Sequence, residues 1–259
     1  MPASTSESNA PVLELSRLDR ERYLCALAAP RAKRAGLMAL LAYNQELARI
    51  PATVSEPMLG KIKLQWWIDV VPGILQGRSP SHPVARALSE VRGALLDHAP
   101  QLRIQAEARN FDLETERPAS LEVLSDYARA TGGGLHALML DVLGVSDQEA
   151  IQAATDVGAA WALIGLMRAL PYGRQNSRDM LPLGASVRDV LEHAQGLLQA
   201  ARQRPTPKAA LPALLVARLA DRHLKRLQAQ DWNPAEREEP PAGAGAVASI
   251  WLGKLTGRY

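Results

Sequence analysis

Apolar side chains recur at helical spacing through most of this chain, and prolines separate the segments in which they do so. One stripe begins at Leu15 and stops before Pro30, and a second runs from Gly36 to Leu47 and stops before Pro51. Proline lacks the amide donor that a helix interior needs and disfavours helix in the residue before it. Hydrophobic residues make up 47% of the chain, and no alternating β-branched runs appear among them. We therefore predict an all-α protein.

The same periodicity predicts a first helix near Leu15 and nine further helices. These cover 31–48, 58–71, 82–98, 101–114, 119–144, 147–170, 186–203, 207–229 and 241–257. Ser55 is the expected cap of the second of these nine, and the glycines 132–134 predict a kink or a close helix contact. We expect one helical domain over 14–259 after a disordered polar leader over 1–13, with Ile250, Trp251 and Leu255 packed onto the body.

Charge and cysteine content limit the classes of function. The 30 basic and 27 acidic residues are interspersed, so the net charge of +3 predicts no nucleic-acid partner. Cys25 is the only cysteine, which excludes an intrachain disulfide and predicts a small buried apolar residue. The first residues lack the pattern of a signal or transit peptide. We expect a soluble protein of a reducing cytoplasm, with at most peripheral contact at the inner face of the membrane.

The segment from Gly158 to Pro182 reads GAAWALIGLMRALPYGRQNSRDMLP. It resembles the second metal motif of the squalene/phytoene synthase family, roughly LTNILRDxxxDxxxGRxYLP, whose two Asp hold Mg²⁺ against a diphosphate. The resemblance places those Asp on Ala169 and Gly173, and a supporting Gln and Asn on Ala162 and Gly165. None of these four side chains has an oxygen for Mg²⁺. The frame of the motif is kept without its ligands, and the resemblance implies the helical isoprenoid synthase fold.

The family's first metal motif, approximately CRxxDDxxD, is lost in the same way. The resemblance places its Arg on Gln45, its paired Asp on Ala48 and Arg49, and its last Asp on Ala52. Arg49 adds a positive charge where Mg²⁺ would bind, and Pro51 cuts the helix that would align the ligands. We expect no metal and no cofactor, with Mg²⁺ required only if the chain is an active synthase.

Several polar and aromatic positions of the family remain. Lys61–Trp67 resembles its basic, double-aromatic helix, and Ser125–Ala128 resembles the element whose tyrosine lies near the diphosphate. The candidate ligand or anion contacts are Tyr127, Arg168, Arg178, Lys63, Trp66 and Trp67. Arg168 is either an anion site or one half of a buried ion pair, with a carboxylate such as Asp126 or Asp156. Adjacent helical residues point about 100° apart, so one tryptophan should be core and the other should face a cavity or partner.

The closest resemblance is to the non-catalytic branch that contains a mitochondrial complex I assembly factor. AYNQELA over 42–48, VSE over 54–56, RALPY over 168–172 and the stretch from Trp251 to Tyr259 carry it. It implies a role in assembly of respiratory complex I, with complex I subunits or assembly intermediates as partners. The lack of a transit peptide favours a bacterial source. Two alternatives stay open: a Mg²⁺-dependent head-to-head prenyl transferase and a carrier of an isoprenoid or quinone-like lipid. Trp251 and Tyr259 are candidates for a C-terminal anchor.

Overall fold

The structure, a computed structural model, describes residues 10–78, 81–176, 178–234 and 243–259. These residues form fourteen α-helices with short 3-10 segments and no strand, which confirms the prediction of an all-α protein. In chain order the helices are α1 (Ala10–Leu18), α2 (Arg20–Leu27), α3 (Arg31–Arg49), α4 (Pro57–Leu75), α5 (Pro83–Glu90), α6 (Ala99–Ala108), α7 (Leu121–Ala128), α8 (Gly134–Leu143), α9 (Gln148–Arg168), α10 (Leu170–Gln175), α11 (Val187–Arg202), α12 (Leu211–Leu214), α13 (Val216–Ala229) and α14 (Ala244–Thr256).

The N-terminal part is more helical than the sequence suggested. Helix α1 begins at Ala10, inside the segment expected to be a disordered leader, so that expectation is wrong for 10–13. Pro11 lies in the first turn, where backbone amides have no acceptor within the helix. The amide proton that proline lacks is therefore not needed there. Residues 1–9 lie outside the described residues.

Several boundaries differ from the expected ones. The cap of α4 is Glu56 and not Ser55, and the helix continues through Pro72 to Leu75. The helix expected over 82–98 ends at Glu90 and is followed by two 3-10 turns. These differences fall at turns and caps, where the local pattern is weakest.

The chain divides into two compact units. The first comprises Met1–Glu114 and Leu138–Gly144, and the second comprises Thr115–Ala137 and Val145–Tyr259. The single domain over 14–259 stays a prediction.

In the first unit, α3 lies between α1, α2 and α5 and supplies much of the core. Tyr43 of α3 is fully buried, and its hydroxyl donates a 2.8 Å hydrogen bond to the carbonyl oxygen of Leu102 on α6. Its ring meets Trp67 of α4 edge to face, with centroids 5.2 Å apart. Burial raises the pKa of Tyr43, so the hydroxyl stays a donor. Cys25 is also buried, as predicted.

In the second unit, α9 is the central helix and packs on α7, α11 and α13. The predicted role of the glycine cluster is confirmed, because a π-helical segment, Arg129–Gly133, follows α7 and passes very close to α9. A Cβ at Gly132 would lie 2.3 Å from the carbonyl oxygen of Gly158. Helix α9 is long and apolar enough to cross a membrane, but 61% of its most apolar stretch is buried inside the protein. That burial is typical of a helix in a protein core.

Only one side of helix α14 packs against the rest of the second unit. Ile250 is 2% exposed, as expected, whereas Trp251 is 49% and Leu255 is 82% exposed. The expectation that Trp251 and Leu255 pack onto the body is therefore wrong. They are one and five residues beyond Ile250, and both project from the side of the helix away from its buried face.

Candidate functional site

The first motif region lies at the end of α3. The helix stops at Arg49, and Ile50–Thr53 form a 3-10 turn with Pro51 near its start. Ala48 and Ala52 therefore belong to different elements, which confirms that Pro51 interrupts the motif. Gln45, Ala48 and Arg49 are half-buried and Ala52 is exposed.

A pocket of about 330 Å³ opens beside this turn, wholly within the first unit. Its lining residues are Glu46, Arg49, Ile50, Thr53, Lys63, Trp66, Trp67 and His82. The structure therefore brings the candidates Lys63, Trp66 and Trp67 together with Arg49 of the first motif. Sequence reasoning missed the contributions of His82 and Thr53, because a lone histidine 36 residues beyond Glu46 gives no local signal.

Three aromatic rings form one wall of the pocket. Trp67 is 2% exposed and belongs to the core, while Trp66 is 40% exposed. The prediction that the two tryptophans differ in this way is confirmed. The His82 ring packs against both, with centroids 5.0 Å from Trp67 and 5.5 Å from Trp66. The Nδ1 atom of His82 is buried and has no hydrogen-bond partner within the described residues.

The charged side chains that line the pocket contact other protein groups. Glu46 lies 3.7 Å from Nε2 of His82, and this neighbouring side chain holds the pKa of Glu46 below its usual value. The partner nearest to Glu46 is thus a histidine from a distant segment, and the charges of Arg49 and Lys63 also lower its pKa. Arg49 is ion-paired with Glu14 of α1. Lys63 donates a 3.2 Å hydrogen bond from Nζ to Oγ1 of Thr53.

These residues do not fit a Mg²⁺ site. The positions of the family's aspartates hold Ala48, Arg49 and Ala52, and the carboxylate of Glu46, which lines the pocket, lies 3.7 Å from Nε2 of His82. Within the described residues, no group of three or more His, Cys, Asp or Glu side chains is placed to hold a metal. Mg²⁺ needs several oxygen ligands in octahedral geometry, and Glu46 is the one carboxylate among the described residues that line this pocket.

The second motif region lies in the other unit, where α9 ends at Arg168 and α10 begins at Leu170. Ala169 is exposed, and Ala162 and Gly165 are half-buried. At Gly173 the backbone turns back on itself. Its carbonyl accepts the amide of Arg178 over 2.8 Å, and a Cβ at Gly173 would lie 2.6 Å from the Arg178 carbonyl oxygen. An aspartate at 173 would therefore require the backbone to move.

The retained polar residues of this unit differ in exposure. Tyr127 on α7 is 6% exposed, and Arg168 and Arg178 are half-buried. The ion pair considered between Arg168 and Asp156 is wrong. Both residues lie on α9, twelve positions apart, which corresponds to about 18 Å along the axis.

Asp156 instead forms a buried cluster with other residues. Arg129 donates to its carboxylate over 2.8 Å, Gln152 over 3.3 Å, and Arg204 lies 3.8 Å away. Asp156 is 2% exposed, so these partners replace the water it loses on burial. The cluster is a structural feature of the second unit.

Comparison with solved structures identifies the fold. A dehydrosqualene synthase in complex with ligand matches with a TM-score of 0.74 over 97% of this chain and 96% of its own, at 14% identity. The squalene synthase HpnC from Alicyclobacillus acidocaldarius matches with a TM-score of 0.72 over 88% and 95%, at 17% identity. At these identities the likeness shows the fold alone. The fold class predicted from the sequence resemblance, the helical squalene/phytoene synthase fold, is confirmed.

Sequence comparison identifies the family. The family model "Squalene/phytoene synthase" matches residues 15–184. The chain belongs to the squalene/phytoene synthase family. It is also 32% identical over 244 residues to the Bos taurus protein named "NADH dehydrogenase (ubiquinone) complex I, assembly factor 6". The matched region covers 85% of this chain and 73% of that relative. The resemblance to the assembly-factor branch is confirmed.

Proposed function

We propose that this protein acts in the assembly of respiratory complex I and does not catalyse prenyl transfer. The name of the Bos taurus relative supports the first half of the proposal. The second half is supported by one observation above all: Arg49, paired with Glu14, occupies the position of a metal-binding aspartate. Complex I subunits or assembly intermediates are the proposed partners.

The chemistry of the family explains why that observation matters. Ionising an allylic diphosphate leaves several negative charges on the leaving group, and a bound metal ion stabilises them. Here the corresponding positions on α3 and the following turn supply one guanidinium and two methyl groups. The guanidinium is engaged by Glu14, so its charge is already compensated.

An assay of the purified chain tests the non-catalytic half. The protein is incubated with Mg²⁺ and labelled farnesyl or geranylgeranyl diphosphate beside an active synthase of the family. We expect no product of squalene or phytoene size above a blank without protein. Product that grows with the concentration of this chain would establish the synthase alternative.

Deletion of the gene in the source organism tests the assembly half. We expect a loss of assembled complex I on a native gel, unchanged isoprenoid products, and recovery when the wild-type gene is returned. Complex I subunits should also co-purify with a tagged copy of the chain. A deletion strain with normal complex I and a missing squalene or carotenoid product would refute the assembly role.

A carrier function is the second candidate, and the pocket favours it. Its 330 Å³ volume and the two tryptophans suit an apolar group, while Lys63, which is hydrogen-bonded to the uncharged Thr53 hydroxyl, supplies a cation for an anionic head. Titration with farnesyl monophosphate without Mg²⁺ should quench tryptophan fluorescence, and Trp66→Ala with Lys63→Ala should weaken the quenching. Equal quenching in wild type and in the double variant would exclude this pocket.

We also propose a bacterial cytoplasmic location, with contact at the inner face of the membrane. Burial raises the pKa of Cys25, which suits a thiol that takes no part in redox chemistry. Fractionation of cells that express the tagged chain tests this location.

A further inference from the structure

Helix α14 exposes an apolar stripe that has no partner among the described residues of its unit. Trp251, Leu252 and Leu255 are 49%, 53% and 82% exposed, and their spacing keeps them on one side of the helix. Ala248, one turn earlier, is also exposed and extends the stripe. The opposite side, with Ile250 and Gly253, is buried. Contiguous exposed apolar residues of this kind mark a docking surface.

The charges on this helix are of one sign. Helix α14 contains Lys254 and no acidic residue, and exposed Arg258 follows it. The ammonium of Lys254 lies 4.8 Å from the centroid of the Trp251 ring. A cation therefore sits directly at the edge of the stripe.

The neighbouring helix adds further cations. Helix α13 packs against α14 and exposes Arg222 and Lys225. The acidic residue of α13, Asp221, is engaged by Arg202 at 2.7 Å. Apart from the paired Asp221, the charged residues of α13 and α14 are therefore all basic.

Tyr259 fastens the chain after α14. Its hydroxyl donates a 2.8 Å hydrogen bond to the carbonyl oxygen of Ala201, and Arg202 donates a 2.9 Å hydrogen bond to its main-chain oxygen. Both partners lie on α11. The packing of its buried side and the hydrogen bonds of Tyr259 together fix the position of α14. The exposed stripe is therefore in place before a partner binds.

We propose that this face of α14 docks on an anionic lipid bilayer. Trp251, Leu252 and Leu255 enter the boundary between headgroups and acyl chains, while Lys254 and Arg258 contact lipid phosphates. With thirteen residues, α14 is too short to span the bilayer and lies in its plane. A lipid surface fits better than a protein groove, because positive charge borders the stripe. The Trp251 ring with the Lys254 ammonium over it also suits the boundary between water and lipid. The inference rests on the proposed contact with the membrane, which it assigns to one face of α14, and not on the proposed role in complex I assembly.

Flotation of the full chain with vesicles tests the proposal. We compare vesicles of phosphatidylcholine alone with vesicles that also contain phosphatidylglycerol. The wild-type chain should bind the anionic vesicles at low salt and less at high salt. Leu252→Ser with Leu255→Ser should weaken that binding about tenfold or more, and Lys254→Glu should weaken it about tenfold.

A matched control separates this stripe from exposed apolar area in general. Tyr172 and Leu183 belong to the same unit and are 66% and 55% exposed. Tyr172→Ser with Leu183→Ser should bind vesicles like the wild type. Circular dichroism and thermal unfolding should show that both double variants remain folded.

Three outcomes would overturn the proposal. The first is a wild-type chain that does not float with anionic vesicles. The second is equal binding by the wild type and by the Leu252 and Leu255 variant. The third is a variant that binds vesicles normally but loses self-association or loses a protein partner in cells, which would make this face a protein interface.

Discussion

Arg49 at the end of α3 is ion-paired with Glu14 of α1. By family resemblance the Arg49 position would hold a metal-binding aspartate, so the sign of the charge is reversed there. The pair links the first helix to the site region, and the carboxylate of Glu14 compensates the positive charge of the guanidinium.

Reversal of this pair gives the first prediction. Arg49→Asp should create no synthase activity and should lower the free energy of unfolding by up to about 1 kcal/mol, because two carboxylates then face each other on an exposed surface. Arg49→Asp with Glu14→Lys should recover that loss. Urea unfolding and the product assay measure both effects. A double variant no more stable than Arg49→Asp would show that the pair contributes nothing.

Two glycines of the second motif should respond in opposite ways. Gly173→Ala should cost about 1–3 kcal/mol, because the new Cβ would meet the Arg178 carbonyl oxygen at 2.6 Å. Gly165→Ala should stabilise by up to about 1 kcal/mol, because it lies within α9 with nothing within 4 Å of the new atom. Urea unfolding of the two variants compares them directly. Equal effects would contradict the described geometry.

The buried cluster around Asp156 gives the third prediction. Asp156→Asn should destabilise the protein by about 1–3 kcal/mol, since Arg129 and Arg204 lose a buried counter-charge. The matched control is Asp231→Asn, whose side chain is 94% exposed in its pair with Arg188. That change should be nearly silent. Thermal unfolding distinguishes the two, and a silent Asp156→Asn would argue against the cluster.

The fourth prediction concerns pH. Burial, with a smaller effect of the Arg129 charge, lowers the pKa of His193, whose Nε2 lies 2.9 Å from Oγ of Ser125. The unfolded chain therefore binds the proton more readily, so His193 favours folding above its ordinary pKa of about 6.5 and that contribution is lost as pH falls through the folded value.

Unfolding measured between about pH 7.5 and pH 5 should show this loss. His193→Gln should reduce the dependence on pH, while the wild type should become less stable toward the acid end. An identical pH dependence in both proteins would mean that another group is responsible.

The fifth prediction is that Tyr259 contributes to stability, whereas Trp251 contributes to membrane docking. Tyr259→Phe should lower stability by about 1 kcal/mol, because it removes the hydrogen bond to Ala201. Trp251→Ser should leave stability within about 0.5 kcal/mol, as an exposed substitution, and should weaken vesicle binding. Thermal unfolding and flotation of the two variants give four results to compare. A large loss of stability in Trp251→Ser would contradict its exposure.

The sequence by itself determined the helices and the loss of the metal ligands. Helix α3 was predicted over 31–48 and ends at Arg49, because apolar periodicity and proline act within a few residues of the chain. The absence of oxygen ligands at Ala169 and Gly173 follows from residue identity, which no arrangement of the chain can change. The resemblance to the family's motif indicates that these are the positions where the ligands would stand.

Only the tertiary structure decided which side chains meet. His82 joins Glu46 in the pocket although 36 residues separate them, and Asp156 pairs with Arg129 and not with Arg168. It also decided that Trp67 is buried while Trp66 is partly exposed, and that Trp251 is exposed. Helical periodicity states which residues share a face, but the packing of other elements decides whether that face is buried. Such contacts join distant parts of the chain, and local sequence patterns do not encode them.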